Sequence, residues 1–178
     1  MSKPSKILVA GIGNIFLGDD AFGSEVTRRL IKETLPEEVR VTDFGIRSYD
    51  LAYAMMEEYD VTIFVDITSQ SQPPGTLYLI EPDLNQLDQL DEKMADAHSM
   101  NPVRVLQMLR AVGSSPKKLY LVGCEPAILE VEDGEIGLSE SVEAAVPQAI
   151  ELIKSLVDDL LNEKSKVEVA LPEQAGRR

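Results

Sequence analysis

The sequence predicts an α/β fold: a three-layer sandwich whose five-stranded, twisted sheet is mostly parallel with one antiparallel strand, and whose helices cover both faces. Three observations carry that expectation. Short apolar, β-branched runs near residues 6–10, 39–44 and 61–65 alternate with helical patterns, as parallel strands joined by crossover helices do. Only nine residues, 67–75, separate the third run from the next, and a parallel crossover needs about a dozen or more. At 178 residues the chain is about one domain, long enough to bury roughly 70% of its unfolded surface.

The elements follow in order. Residues 6–10 (KILVA) form an apolar run that stops at glycines, a buried parallel strand. After the GIGNIFLGDD loop, Phe22, Val26 and Leu30 recur four apart and mark a helix that ends before Pro36. Residues 39–44 alternate as a second strand. Leu51, Ala54 and Met55 mark the next helix, with Ser48 or Asp50 as its N-cap. The third strand, 61–65, ends in Asp66. Because of the short connection, the fourth strand, 76–80, runs antiparallel near a sheet edge. Residues 81–97 are acidic and weakly periodic, a surface segment with short helical turns. Asn101-Pro102 starts a helix that uses Val105, Leu106, Leu109 and Val112 and stops at Gly113. Residues 119–122 are the fifth strand. A long apolar stripe from Val142 to Leu161 is the last helix, with a kink expected at Pro147. From Glu163 the sequence loses its period, so one folded domain over 1–163 and a disordered tail over 164–178 are expected.

Composition excludes several classes of function. The chain has one Cys and one His, which excludes an internal disulfide framework, an all-thiolate metal site and any multi-histidine site. Lys and Arg total 17 against 31 Asp and Glu, a net charge of −14, the wrong sign for nucleic acid. No apolar run approaches the roughly 20 residues of a membrane span, and the N-terminal sequence carries no secretory signal pattern. A cytoplasmic location follows as the expectation. The acidic stretch 81–96 reads as a solvated face.

Candidate chemistry gathers where strands end, because ligands bind at the carboxyl edge of open α/β sheets. Gly11-Ile12-Gly13 suggests a dinucleotide loop, but Phe16 stands where the third glycine belongs. Asp19 and Asp20 open the following helix, where a pyrophosphate needs positive charge. One of the two could cap that helix, which leaves the other over. Asp66, after the third strand, either holds a turn or joins Asp20. His98 precedes the helix at Asn101-Pro102 and can reach the same edge. Asp20, Asp66 and His98 together would form an O,O,N set with open positions, suited to zinc, nickel or another borderline divalent ion. Asp43, at the end of the second strand, is a further candidate, or a turn-forming residue. Cys124 in VGCEP fits a small apolar residue at a strand end better than a nucleophile.

GIGNIFLGDDAFG, DFGIRSYDL, VDITS, a histidine before a helix and LVGCEP, in that order over residues 6–161, resemble the hydrogenase maturation endopeptidases. The resemblance implies an α/β sheet with one antiparallel strand. It implies removal of the C-terminal extension from the large-subunit precursor of nickel–iron hydrogenases, after nickel insertion. It implies that Asp20, Asp66 and His98 bind a divalent ion and carry catalysis, the ion being nickel brought by the substrate, with no permanently bound cofactor. Asp43 would orient the substrate, and Arg47 would meet an acidic or C-terminal group. The FGIRSYD turn departs from the glycine- and threonine-rich stretch of relatives and is a candidate for choosing the partner hydrogenase. Asp20 is Glu in some relatives, a reach longer by about 1.5 Å. The implied partner is the precursor, with no nucleic acid or membrane, and the chain is expected to be a monomer. The second reading is a non-catalytic factor that holds metal or precursor during assembly; a nucleotide-binding oxidoreductase is the third.

Overall fold

The structure is a computed structural model and describes residues 6–86, 102–128 and 136–170. Its strands are β1 (Ile7–Ile12), β2 (Val39–Gly45), β3 (Val61–Ile67), β4 (Leu77–Ile80) and β5 (Leu119–Cys124). Its described helices are α1 (Phe22–Leu30), α2 (Ser48–Met55), α3 (Pro102–Ala111) and α4 (Glu140–Ala170), with a 3-10 turn at Gly18–Ala21 before α1. The sheet order is β2-β1-β3-β5-β4. β1 pairs in parallel with β2 and β3, and β3 with β5. β4 lies at the edge, antiparallel to β5, with Leu77 opposite Cys124 and Ile80 opposite Leu121. The short connection after β3 allows no helix, so the chain turns back instead of crossing over.

Helices on both sides explain why β1, β3 and β5 read as continuous apolar runs. Ile7 and Val9 of β1, with Val61, Ile63 and Val65 of β3, pack against Phe22, Val26 and Leu30 of α1 and Val142, Val146, Ala149 and Ile153 of α4. The alternate residues, Leu8, Ala10, Ile12 and Phe64, pack on Leu51 and Met55 of α2 and Val105, Leu106 and Leu109 of α3. Each face of the sheet has its own core, and a one-residue slip of β1 or β3 would exchange them.

Two local expectations differ from what forms. α2 starts at Ser48 with Arg47 in the N-cap position, and neither Ser48 nor Asp50 caps it. The turn before it is already closed by main-chain bonds from Arg47 to Phe44 and from Ser48 to Ile46, and Arg47's own carbonyl takes the Leu51 N–H. α4 continues through Pro147 and runs to Ala170, beyond residue 163 where the sequence pattern ends. Helix propensity carries a helix past the end of its apolar stripe. The acidic segment shows a 3-10 turn at Leu84–Gln86; residues 87–101 and 171–178 lie outside the described residues.

Candidate functional site

The loops after β1, β3 and β5 meet at the carboxyl edge of the sheet. α3 brings its N-terminal end, Pro102, to the same edge. The connection from α3 to β5 lies at the opposite end, where Lys118 accepts the Thr62 N–H at the start of β3.

Two glycines let the first loop close down over the strands. Gly13 sits at φ +145°, and a Cβ there would overlap the carbonyl of Asp20. A Cβ on Gly23 would overlap the carbonyls of Val65 and Ile12, so α1 can lie against β1 and β3 only because Gly23 has no side chain. The result is that the 3-10 turn delivers Asp20 next to Asp66. Asp20 is 6% exposed and accepts the Asn14 N–H at 2.9 Å. Burial pushes its carboxyl above the usual range, and the Asn14 bond offsets part of that.

Asp66 lies in β3, opposite Gly123 of β5, on the sheet face covered by α2 and α3. It is 7% exposed, and its Oδ1 accepts the Ile67 N–H at 2.8 Å. Burial holds its carboxyl well above the usual value, and the charge of Asp20 pushes it further the same way. Among the described residues no Lys or Arg forms an ion pair with either acid. Two buried carboxylates in mutual repulsion retain a proton or hold a cation.

The other expected residues fall as follows. His98 lies outside the described residues. Among the described ones, no three His, Cys, Asp or Glu side chains form a metal-binding group. Asp43 accepts the hydroxyl of Ser24 at 2.7 Å and the Gly45 N–H at 3.0 Å through one oxygen, tying α1 to the turn after β2. The Arg47 guanidinium hydrogen-bonds the carbonyls of Phe44 and Asp43 and reaches Asp50. Neither Asp19 nor Asp20 caps α1, whose N-cap is Ala21 without a side-chain bond. Asp19 is fully buried and accepts the N–H groups of Ala127, Ile128 and Ser139 and the hydroxyl of Ser139, fastening the loop after β5 and the approach to α4. Cys124 is part of the core under α1 and α4. Burial first, then the charges of Asp19 and Glu125, push its thiol up to about 12, so it is no nucleophile at neutral pH.

Sequence reasoning missed Glu125. It is 5% exposed and accepts the Gln70 N–H at 2.8 Å and the Tyr78 hydroxyl at 2.6 Å. Its only sequence signal is an acid directly behind the apolar run of VGCEP.

A mostly parallel α/β sheet with a buried acid pair at its carboxyl edge places, where ligands bind in such folds, two groups of the kind that accept a proton or hold a cation. Comparison with known proteins gives the family. The sequence profile of hydrogenase maturation protease matches residues 24–156. The hydrogenase 2 maturation protease of Escherichia coli is 34% identical over 149 residues, 83% of this chain and 88% of that protein. The structure of the hydrogenase maturating endopeptidase HybD from E. coli superposes with a TM-score of 0.70 at 31% identity, covering 86% of this chain and 93% of HybD. That of the [NiFe] hydrogenase maturation protease HycI from Thermococcus kodakarensis gives 0.66 at 26% identity, over 88% and 95% of the two chains. This chain belongs to the hydrogenase maturation protease family and is a hydrolase of peptide bonds.

Proposed function

We propose that the chain is the endopeptidase that removes the C-terminal extension of a nickel–iron hydrogenase large-subunit precursor once nickel is in place, acting as a monomer in the cytoplasm. The observation that carries the reading is the pairing of Asp20 with Asp66. Each is buried, each carboxyl is raised, and no described protein cation balances them. A divalent ion arriving with the substrate relieves that repulsion, which makes loaded precursor a better ligand than empty precursor. His98 is the third ligand in this proposal. It stands four residues before Pro102, so the intervening chain spans at most about 14 Å from the N-terminal end of α3.

The donor set fits nickel carried by the substrate. Two carboxylate oxygens and one imidazole nitrogen leave positions open, and soft thiolate ligands come from the precursor because Cys124 is sealed in the core. Attack on the scissile carbonyl needs an activated water. The ion polarises the carbonyl or the water, or one carboxylate accepts the water's proton as general base. A raised carboxyl is a stronger base than an ordinary one, which favours Asp66 for that part. Asp43 stays outside the proton transfer and holds the turn bearing Arg47, which meets an acidic or C-terminal group of the substrate.

The experiment uses a large-subunit precursor prepared with and without nickel, with the product mass as readout. The loaded precursor loses its C-terminal tail and the empty one stays intact. Asp20→Asn, Asp66→Asn and His98→Ala each lower the cleavage rate at least a hundredfold. If Asp66→Asn and His98→Ala cut at the wild-type rate, the site is elsewhere.

A further inference from the structure

We propose that loop 68–75, which leaves β3 two residues after Asp66, is a pre-formed recognition rim for the main chain of the substrate polypeptide, and that Glu125 is the positioning residue that holds it in shape. The proposal rests on the endopeptidase reading and deepens it.

Glu125 organises this loop from beneath. Its carboxylate takes the Gln70 N–H and the Tyr78 hydroxyl, and the backbone amides of Ser71 and Gln72 face it closely enough to favour its charge. Three successive amides converging on one carboxylate make an anion nest, and Ser71, at φ +59°, supplies the bend. Burial alone would push the Glu125 carboxyl up, but these donors outweigh burial and hold it below its ordinary value. The main chain of Glu125 completes the hold, donating to Thr76 at 2.8 Å and accepting from Gly75 at 2.8 Å.

Beyond the buried Thr68, what is held in this way lies outside the two cores. Residues 69–74 are exposed. The stretch Thr-Ser-Gln-Ser-Gln-Pro-Pro-Gly carries no charge, although 27% of the chain is charged. Its hydroxyl and amide groups donate to and accept from peptide C=O and N–H groups, the chemistry that every extended polypeptide presents. A buried carboxylate is costly, and fixing a loop whose residues 69–74 stay exposed returns little stability to the fold. Fixing it beside Asp66 does reduce the ordering cost when a chain is bound there. The rim therefore recognises main chain near the scissile bond, not a charged side chain.

The test measures affinity for the nickel-free precursor by calorimetry with the otherwise wild-type chain, which leaves that precursor uncut, so that cleavage does not intervene. KM and kcat are measured in the wild-type background. Replacing the exposed side chains (Ser69→Ala, Gln70→Ala, Ser71→Ala, Gln72→Ala together) should weaken affinity at least fivefold and raise KM equally, with kcat within twofold and an unchanged melting temperature. Glu125→Gln should give the same KM rise and remove amide-exchange protection at residues 70–72. If that variant fails to fold, the surface replacement still decides. An unchanged affinity in the surface replacement, or no precursor binding by the full chain, overturns the rim. Wild-type protein that binds nickel-free precursor with loop-dependent affinity but never cuts the loaded form overturns the endopeptidase reading and leaves the rim standing.

Discussion

At the scale of single residues, the site is built from acids held against their electrostatic preference. Asp66 is buried beside Asp20 without a described cation, so neutralising it removes a cost of folding. Asp66→Asn should therefore unfold at a higher temperature than wild type at pH 7, by about 1 kcal/mol of stability or more, while losing cleavage. Thermal denaturation beside the precursor assay checks both parts, and a less stable Asp66→Asn would mean that the ionised carboxylate has a stabilising partner. Cys124 gives the opposite kind of prediction. With its thiol at about 12 against the ordinary 9.0, the thiolate fraction at pH 8 is lower by about a thousandfold. Iodoacetamide should leave native protein unmodified at pH 8 and label it fully in denaturant, and Cys124→Ala should cleave normally. Asp20 and Asp66 were legible because each stands at the end or in the wake of an obvious strand. Asp19 and Glu125 were not. Their partners lie across the sheet edge, at residues 127, 128 and 139 for Asp19 and 70 and 78 for Glu125, and a carboxylate that collects distant main-chain amides leaves no local pattern.

At the scale of elements, the site depends on how closely the first helix approaches the strands. Gly23 meets main-chain carbonyls of β1 and β3, which cannot swing aside as a side chain can. Gly23→Ala should destabilise the fold by about 3 kcal/mol or more, the upper range for overpacking, measured by urea denaturation. A loss under 1 kcal/mol would show that α1 can lift away and that the contact does not fix Asp20. The direction of β4 was legible, since a connection of nine residues cannot hold a crossover helix. The start of α2 was not. Ser48 and Asp50 both look like caps, but the turn stabilised by Arg47 had already satisfied the helix end. The far end of α4 escaped for a similar reason, because helix propensity continues where the apolar stripe stops. Periodicity reports burial, so it locates packed segments well and helix ends poorly.

At the scale of the whole molecule, the charge of −14 sets two opposing effects against each other. Ion pairs join α1 to α4 through Arg29 and Glu143, and Lys154 of α4 reaches Glu33. Salt weakens these pairs, but each is partly exposed and contributes only about 0–1 kcal/mol. The surplus of acids over bases is mutually repulsive, and that repulsion has the longer range. The screening length falls from about 30 Å at 10 mM salt to about 10 Å at 100 mM, shorter than most separations across a domain of this size but longer than any contact pair. Screening therefore removes more repulsion than attraction. The melting temperature should rise by about 2–4 °C for each kcal/mol recovered between 10 and 300 mM NaCl, followed by calorimetry at constant pH. A melting temperature that falls with salt would mean that the described ion pairs outweigh the net charge. The same screening should leave the gap between wild type and Asp66→Asn nearly unchanged. That carboxylate is shielded from solvent, and its repulsion with Asp20 acts at short range inside the protein.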